Sequence, residues 1–164
     1  MTLSQNDRDR MIDQYATGAA RLRAAVQAAP REALQWRPAA GEFSVHEIAV
    51  HCADSETNAA GRIRYVLASK DATISGYDPG QWAVTLDYHS HPLEAALAAV
   101  EAVRANTAPL LRGLPEDAWD RSATHSESGR YTAADWLRIY SEHVEEHIAQ
   151  INEVVAAWQA HRRL

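Results

Sequence analysis

One cysteine stands in 164 residues, Cys52, which excludes an internal disulfide framework and suits a reducing cytoplasm. Glycine and proline are few, 7 and 6. In an alanine-rich chain that scarcity favours helix, because alanine loses no side-chain entropy there. Basic charge is in deficit, with 16 Lys and Arg against 22 Asp and Glu for a net charge of −6. The basic residues are scattered apart from the short tail His161-Arg162-Arg163, so no basic face is available for a phosphate backbone. No apolar run approaches membrane-spanning length, and the opening MTLSQNDRDRM has no apolar signal core. The expectation is a soluble, cytoplasmic protein with neither nucleic acid nor membrane as partner.

The length fits one domain over residues 1–164, long enough to bury a core without disulfides. No repeat or low-complexity segment interrupts it, and no composition shift marks a linker. Apolar periodicity predicts four helices. The first runs from about Ser4 to Ala29 with Met11, Tyr15, Leu22 and Val26 on one face, and Pro30 ends it. The second begins at Ser44, where Glu47 completes a capping box, and carries Val45, Ile48, Ala49, Cys52, Ala59, Ile63 and Val66 as far as Ser69. The third runs from Pro92 to Gly113 with Leu93, Leu97, Val100, Leu110 and Leu111, followed by a short turn over Leu114 to Trp119. The fourth starts at Thr132, with Asp135 three residues on, and carries Leu137, Tyr140, Val144, Ile148, Ile151, Val155 and Trp158. Four amphipathic helices in one short chain imply an all-α bundle.

Two connections, Lys70 to His91 and Asp120 to Tyr131, are long for such a bundle, where links usually run about 2–8 residues. They contain Tyr77, Trp82, Tyr88 and Tyr131, aromatics that disordered linkers usually lack, and are expected to pack over one end of the bundle.

His143 and His147 are four apart on the last helix, so they stack on one face about a turn apart, a spacing by which two imidazoles bind one ion. The run reads HVEEH rather than HExxH, so the metalloprotease glutamate is missing and no general base is assigned. His143 and His147 lie on one flank of their helix's apolar stripe, and His51 lies on a flank of the second helix's stripe. Ser55, Asn58 and Arg62 continue that flank as a polar row. Three imidazoles facing a common cleft would supply three ligands and leave a position open for water. The plain alternatives also stand at this stage: a histidine pair decorating a solvated face, and His51 as a hydrogen-bonded core residue. His46 and His161 rank lower, while His89, His91 and His125 are loop histidines near the cleft at most. Cys52 falls on the apolar stripe and reads as core.

The stretch WRPAAGEFSVHEIAVHCADSE resembles the DinB/YfiT-like family, whose pattern has Trp, Pro, a Gly-Glu/Lys-Trp-Ser/Thr run, then His before an Ala-Asp pair. The segment ISGYDPGQWA is similar to the Tyr-Asp…Trp-Ala loop of the YfiT branch, and EHVEEHIAQI to the family's closing His-x-x-x-His-x-x-x-Ile motif. These motifs fall in order from Trp36 to Ile151, with departures at Phe43, where Trp is usual, and at Cys52, where an aliphatic residue is usual. The resemblance implies an up-down-down-up four-helix bundle, often a homodimer. It implies one divalent ion, zinc or nickel, on His51, His143 and His147.

It further implies a metal-dependent hydrolase acting on a small-molecule substrate, or an S-transferase with a low-molecular-weight thiol cosubstrate such as bacillithiol or mycothiol. A neutral three-histidine site leaves the ion its full charge, which acidifies water or holds a thiol as thiolate. Arg62 and Asn58 are candidates to fix an anionic part of substrate or thiol, and Ser55 to orient a ligand imidazole. The competing reading is a non-catalytic metal-binding or stress-response module; a third is a small-molecule-binding bundle without metal.

Overall fold

Side-chain caps set where the long helices begin. In the computed structural model, which describes residues 3–163, helix α1 spans Gln5–Ala28 and starts at Ser4, whose side chain accepts the Asp7 N–H. Helix α2, Val45–Ala68, starts at the Ser44/Glu47 capping box, and the last helix, Ala133–His161, at the Thr132/Asp135 box. Each box satisfies two otherwise orphaned N–H groups. The third long helix, Leu93–Arg112, follows Pro92 and stops at Gly113. All four long helices therefore lie where periodicity places them. Residues 1, 2 and 164 of the expected 1–164 domain lie outside the described residues.

The connections depart from expectation. Strand β1, Thr73–Ile74, pairs in parallel with β2, Ser122–His125, and β2 pairs antiparallel with β3, Gly129–Thr132. A short helix α3, Pro79–Thr85, begins at Asp78, whose carboxylate accepts the Gln81 N–H. With α3 counted, the long helices of residues 93–112 and 133–161 are α4 and α5. The crossover also does not stay at one end of the bundle. It leaves α2 beside the small sheet and runs back along that helix, where the Tyr88 hydroxyl donates to Asp54 at 2.6 Å. Strands of two and four residues leave no periodicity to read, and β1 acquires its ladder only from a partner far along the chain.

Helix directions follow from paired contacts. Gln14 meets Ser141 and Arg21 meets Glu145, so α1 and α5 are parallel. His46 meets His91 and Arg64 meets Asn106, so α2 and α4 are parallel. Arg23 meets Glu94 while Arg112 meets Asp13, which makes α1 and α4 antiparallel. The bundle is thus up-down-down-up, and parallel neighbours α2 and α4 need the long crossover between them. No described helix is long and apolar enough to cross a membrane.

Two apolar clusters fill the interior. One includes Leu22, Ile48, Leu97 and Ile151, the other Tyr15, Ile63, Leu111 and Trp136. Between them in chain position on α2 and α4 sit Glu56 and Arg104, both fully buried and paired at 2.5 Å. The Arg104 guanidinium also donates to the Tyr15 carbonyl at 2.8 Å and the Tyr140 carbonyl at 3.1 Å, and lies 4.3 Å from the Tyr15 ring centroid. One side chain of α4 thereby binds α1, α2 and α5. Helix α1 comes this close because residue 18 is glycine; a Cβ there would stand 2.5 Å from Arg104 Nη1.

Gly18→Ala is expected to cost about 1–3 kcal/mol by overpacking a side chain that cannot move aside. Arg104→Ala, which strands Glu56 in the interior, is expected to cost about 3–5 kcal/mol. Urea unfolding midpoints of the two variants check both values and their order.

Candidate metal centre

Antiparallel packing of α2 on α5 brings His51 opposite His143 and His147. Ring centroids are 4.7 Å apart for His51–His147, 5.5 Å for His51–His143 and 4.6 Å for His143–His147. One ring nitrogen from each lies within 4.8 Å of the others. The Nε2 atoms of His143 and His147 are 3.2 Å apart. Two imidazole nitrogens on one tetrahedral ion at about 2.0–2.1 Å stand roughly 3.3 Å apart, so this pair already has a chelating separation.

The protons are arranged to suit. His147 Nδ1 lies 2.9 Å from Gln150 Oε1, an acceptor, so Nδ1 carries the hydrogen and Nε2 presents its lone pair to His143. His51 Nδ1 and His143 Nδ1 are buried with no hydrogen-bond partner. Burial pushes His51 down to about 4, helped by the neighbouring His147, and pushes His143 down to about 2, helped by His147, His51 and Arg104. Burial lowers His147 too, against the opposing pull of Gln150 and Glu146. All three rings are therefore neutral near pH 7, the state a metal requires of imidazole. Behind His143, Glu56 Oε1 lies 3.9 Å from Nδ1, and Glu56 Oε2 has no partner of its own.

In front of His51 and His143 opens a cavity of about 210 Å³ walled by Ser55, Arg62, Tyr77, His125, Glu127 and Tyr140. Ser55 Oγ stands 3.3 Å from His143 Nε2. Arg62 donates to the Tyr140 hydroxyl at 3.2 Å and the Ser75 carbonyl at 2.7 Å, with its guanidinium 5.7 Å from the Tyr77 ring centroid. His125 Nδ1 accepts the N–H groups of Glu127 and Ser128 at 3.2 and 3.4 Å, which leaves the proton on Nε2. The Glu127 carboxylate lies against Gly76, where a Cβ would collide with it. A second, larger cavity of about 660 Å³ adjoins the site, and Pro79 lines both. Phe43, whose ring is 5.8 Å from that of His51, and Gln150 also face the larger one.

Of the residues singled out in the sequence, the structure brings His51, His143, Ser55 and Arg62 to one cavity, with His147 against the two histidines. Asn58 is not part of its wall; its amide donates to the Asp54 carbonyl one turn back, at 2.8 Å. His125 joins the wall, whereas His89 and His91 bind Ser44 and His46 at the start of α2. His161 packs on Trp36, and Cys52 is fully buried, its thiol pushed up by that burial. Tyr77 is expected from the sequence only as a loop aromatic packed over the bundle, and neither Glu127 nor Tyr140 is marked as a site residue. Tyr140 passes for an ordinary stripe residue, and Glu127 reaches the site only through the turn between β2 and β3.

A histidine depressed by burial binds fewer protons folded than unfolded between its two pKa values, so stability rises with pH across that window. The metal-free protein is expected to lose stability as pH falls from about 6.5 toward 4, and His51→Gln to flatten that slope. Unfolding free energies measured across this range, wild type against variant, check the sign.

Residues 14–151 match the DinB superfamily. A protein of Oceanobacillus iheyensis named "Putative metal-dependent hydrolase" is 32% identical over 114 residues, covering 70% of this chain and 66% of the relative. A second from the same organism, with the same designation, is 26% identical and matched over 64% of its length, so the chain spans just under two thirds of both. The Bacillus subtilis protein YfiT, with that designation too, is 25% identical over 93% of this chain and 86% of its own. Its solved structure, described as a probable metal-dependent hydrolase with an unusual four-helix bundle topology, superposes with a TM-score of 0.86 over 93% of this chain and 88% of that one. The family match over residues 14–151, the sequence similarity and the shared four-helix bundle agree: the chain belongs to the DinB superfamily.

Proposed function

We propose that this chain is a divalent-metal-dependent hydrolase of small molecules whose ion is held by His51, His143 and His147. The observation that carries the reading is the 3.2 Å approach of two neutral imidazole nitrogens beside a third histidine, at the floor of an open cavity. Zinc and nickel both suit an imidazole donor set. Bound there, the ion would supply Lewis-acid charge and make water acidic enough to act as a nucleophile near neutral pH.

The remaining chemistry belongs to the chain. Gln150 holds the His147 ring in the tautomer that frees Nε2. The His125 Nε2–H is a fixed donor for an oxygen on which negative charge develops. Glu127, the one carboxylate among the residues lining this cavity, is the group available to accept a proton there. Thiol transfer is the second reading, favoured by the uncharged donor set, which leaves the ion free to hold an anionic sulfur.

Untagged protein is expected to take up one equivalent of zinc or nickel. His51→Ala, His143→Ala and His147→Ala should each abolish stoichiometric uptake, and Gln150→Ala should weaken it by roughly 10–100-fold. Metal analysis after dialysis checks this, and full uptake by the three alanine variants would overturn the site. A screen of esters, amides and electrophiles with and without glutathione, mycothiol or bacillithiol separates the chemistries: turnover that requires thiol means transfer.

A further inference from the structure

We propose that the substrate carries a carboxylate, which docks on Arg62 inside the smaller cavity while the rest of the molecule extends past Pro79 into the larger one. This names the substrate class of the site above and rests on that reading.

The side chain at its centre is a cation that pairs with no carboxylate among the described residues. Arg8, Arg23, Arg37 and Arg104 each pair with a carboxylate. Among the described residues no carboxylate forms an ion pair with Arg62; its partners are a hydroxyl and a carbonyl, both neutral. Those two bonds use only part of a five-donor guanidinium, so N–H groups remain for a planar, bidentate acceptor.

Arg62 is also held in place. The Tyr140 hydroxyl fixes it from α5, the Ser75 carbonyl fixes it from the crossover, and the Tyr77 ring lies alongside. An ordered, half-buried cation has already lost the freedom and much of the water that binding would otherwise cost. Glu127 shares the wall, yet its carboxylate rests on Gly76 and makes no ion pair with the guanidinium.

The dimensions extend the assignment. About 210 Å³ accommodates a small headgroup, and the neighbouring space of about 660 Å³ accommodates a larger body. Phe43 and Gln150, which touch His51 and His147, face the larger space, while His51 and His143 face the smaller. A molecule anchored at Arg62 and lying across Pro79 would therefore pass the three histidines between its acid end and its body.

The test uses the full chain loaded with cobalt and three thiol probes of similar length: 3-mercaptopropionate, 2-mercaptoethanol and 2-mercaptoethylamine. Affinities are read from sulfur-to-cobalt absorption. Wild type is expected to bind mercaptopropionate about tenfold or more tightly than mercaptoethanol, the effect of one charge-assisted contact. Arg62→Gln should erase that preference without changing mercaptoethanol affinity, and Arg62→Lys should keep part of it. Equal affinities in wild type, a preference that survives Arg62→Gln, or tighter binding of the amine would overturn the proposal. Failure of cobalt uptake would sink the metal reading instead. The anchor is then judged on metal-free protein by amide and guanidinium NMR shifts on adding propionate: shifts at Arg62 that vanish in Arg62→Gln support it, and their absence in wild type overturns it.

Discussion

The buried ion pair between Arg104 and Glu56 is the constraint around which the bundle is arranged. A charge in this interior costs several kcal/mol of lost hydration, offset here by the opposite charge and by directed hydrogen bonds from both terminal nitrogens of the guanidinium. Arg104 finds partners on the three other long helices, so their relative positions are fixed together. An apolar layer of the same volume would tolerate sliding; a guanidinium with directed bonds to Tyr15, Glu56 and Tyr140 does not. Gly18 is the accommodation that α1 makes to this group.

The same layer underlies the histidines. Glu56 stands behind His143, one face of its carboxyl group committed to Arg104 and the other oxygen unpartnered. Three neutral imidazoles are thus presented from two helices whose spacing an ion pair maintains, so convergence of their nitrogens does not depend on flexible loops. Rigid elements hold ligands more accurately than loops do, and the polar layer explains why α2 and α5 are rigid at this level. The cavity wall follows the opposite rule. Tyr77, His125 and Glu127 come from connections, which can vary in sequence without moving the three histidines.

That division also explains what could be read from the sequence. The helices were legible because Ser44/Glu47 and Thr132/Asp135 cap long, regular apolar stripes. Position on a helix fixes direction, so flank geometry makes a common site for His51 and the His143/His147 pair reasonable. A solvated pair and a core His51 fit it too; the ordered motifs of the family resemblance are what join the three. Arg104 was not, since an arginine between Val103 and Ala105 reads as a solvated residue until three other helices surround it. Asn58 shows the limit of flank geometry: its direction suited the cleft, but a local bond to the Asp54 carbonyl retains its amide. The sheet was invisible because its ladder joins segments with no local signature.

That ladder has a thermodynamic consequence. The Gly76 N–H reaches the Ser126 hydroxyl across 50 positions of sequence, beside a β1 strand only two residues long. The junction has few hydrogen bonds, but Ile74, Ala123 and Tyr131 of the three strands are buried in the apolar cluster that holds Tyr15, Ile63, Leu111 and Trp136. Opening it would expose that apolar surface to water, which ties the small sheet energetically to the core of the bundle. The part of the cavity wall that carries His125 is therefore anchored in the same core as the helices that carry the three histidines, so wall and floor hold their places together.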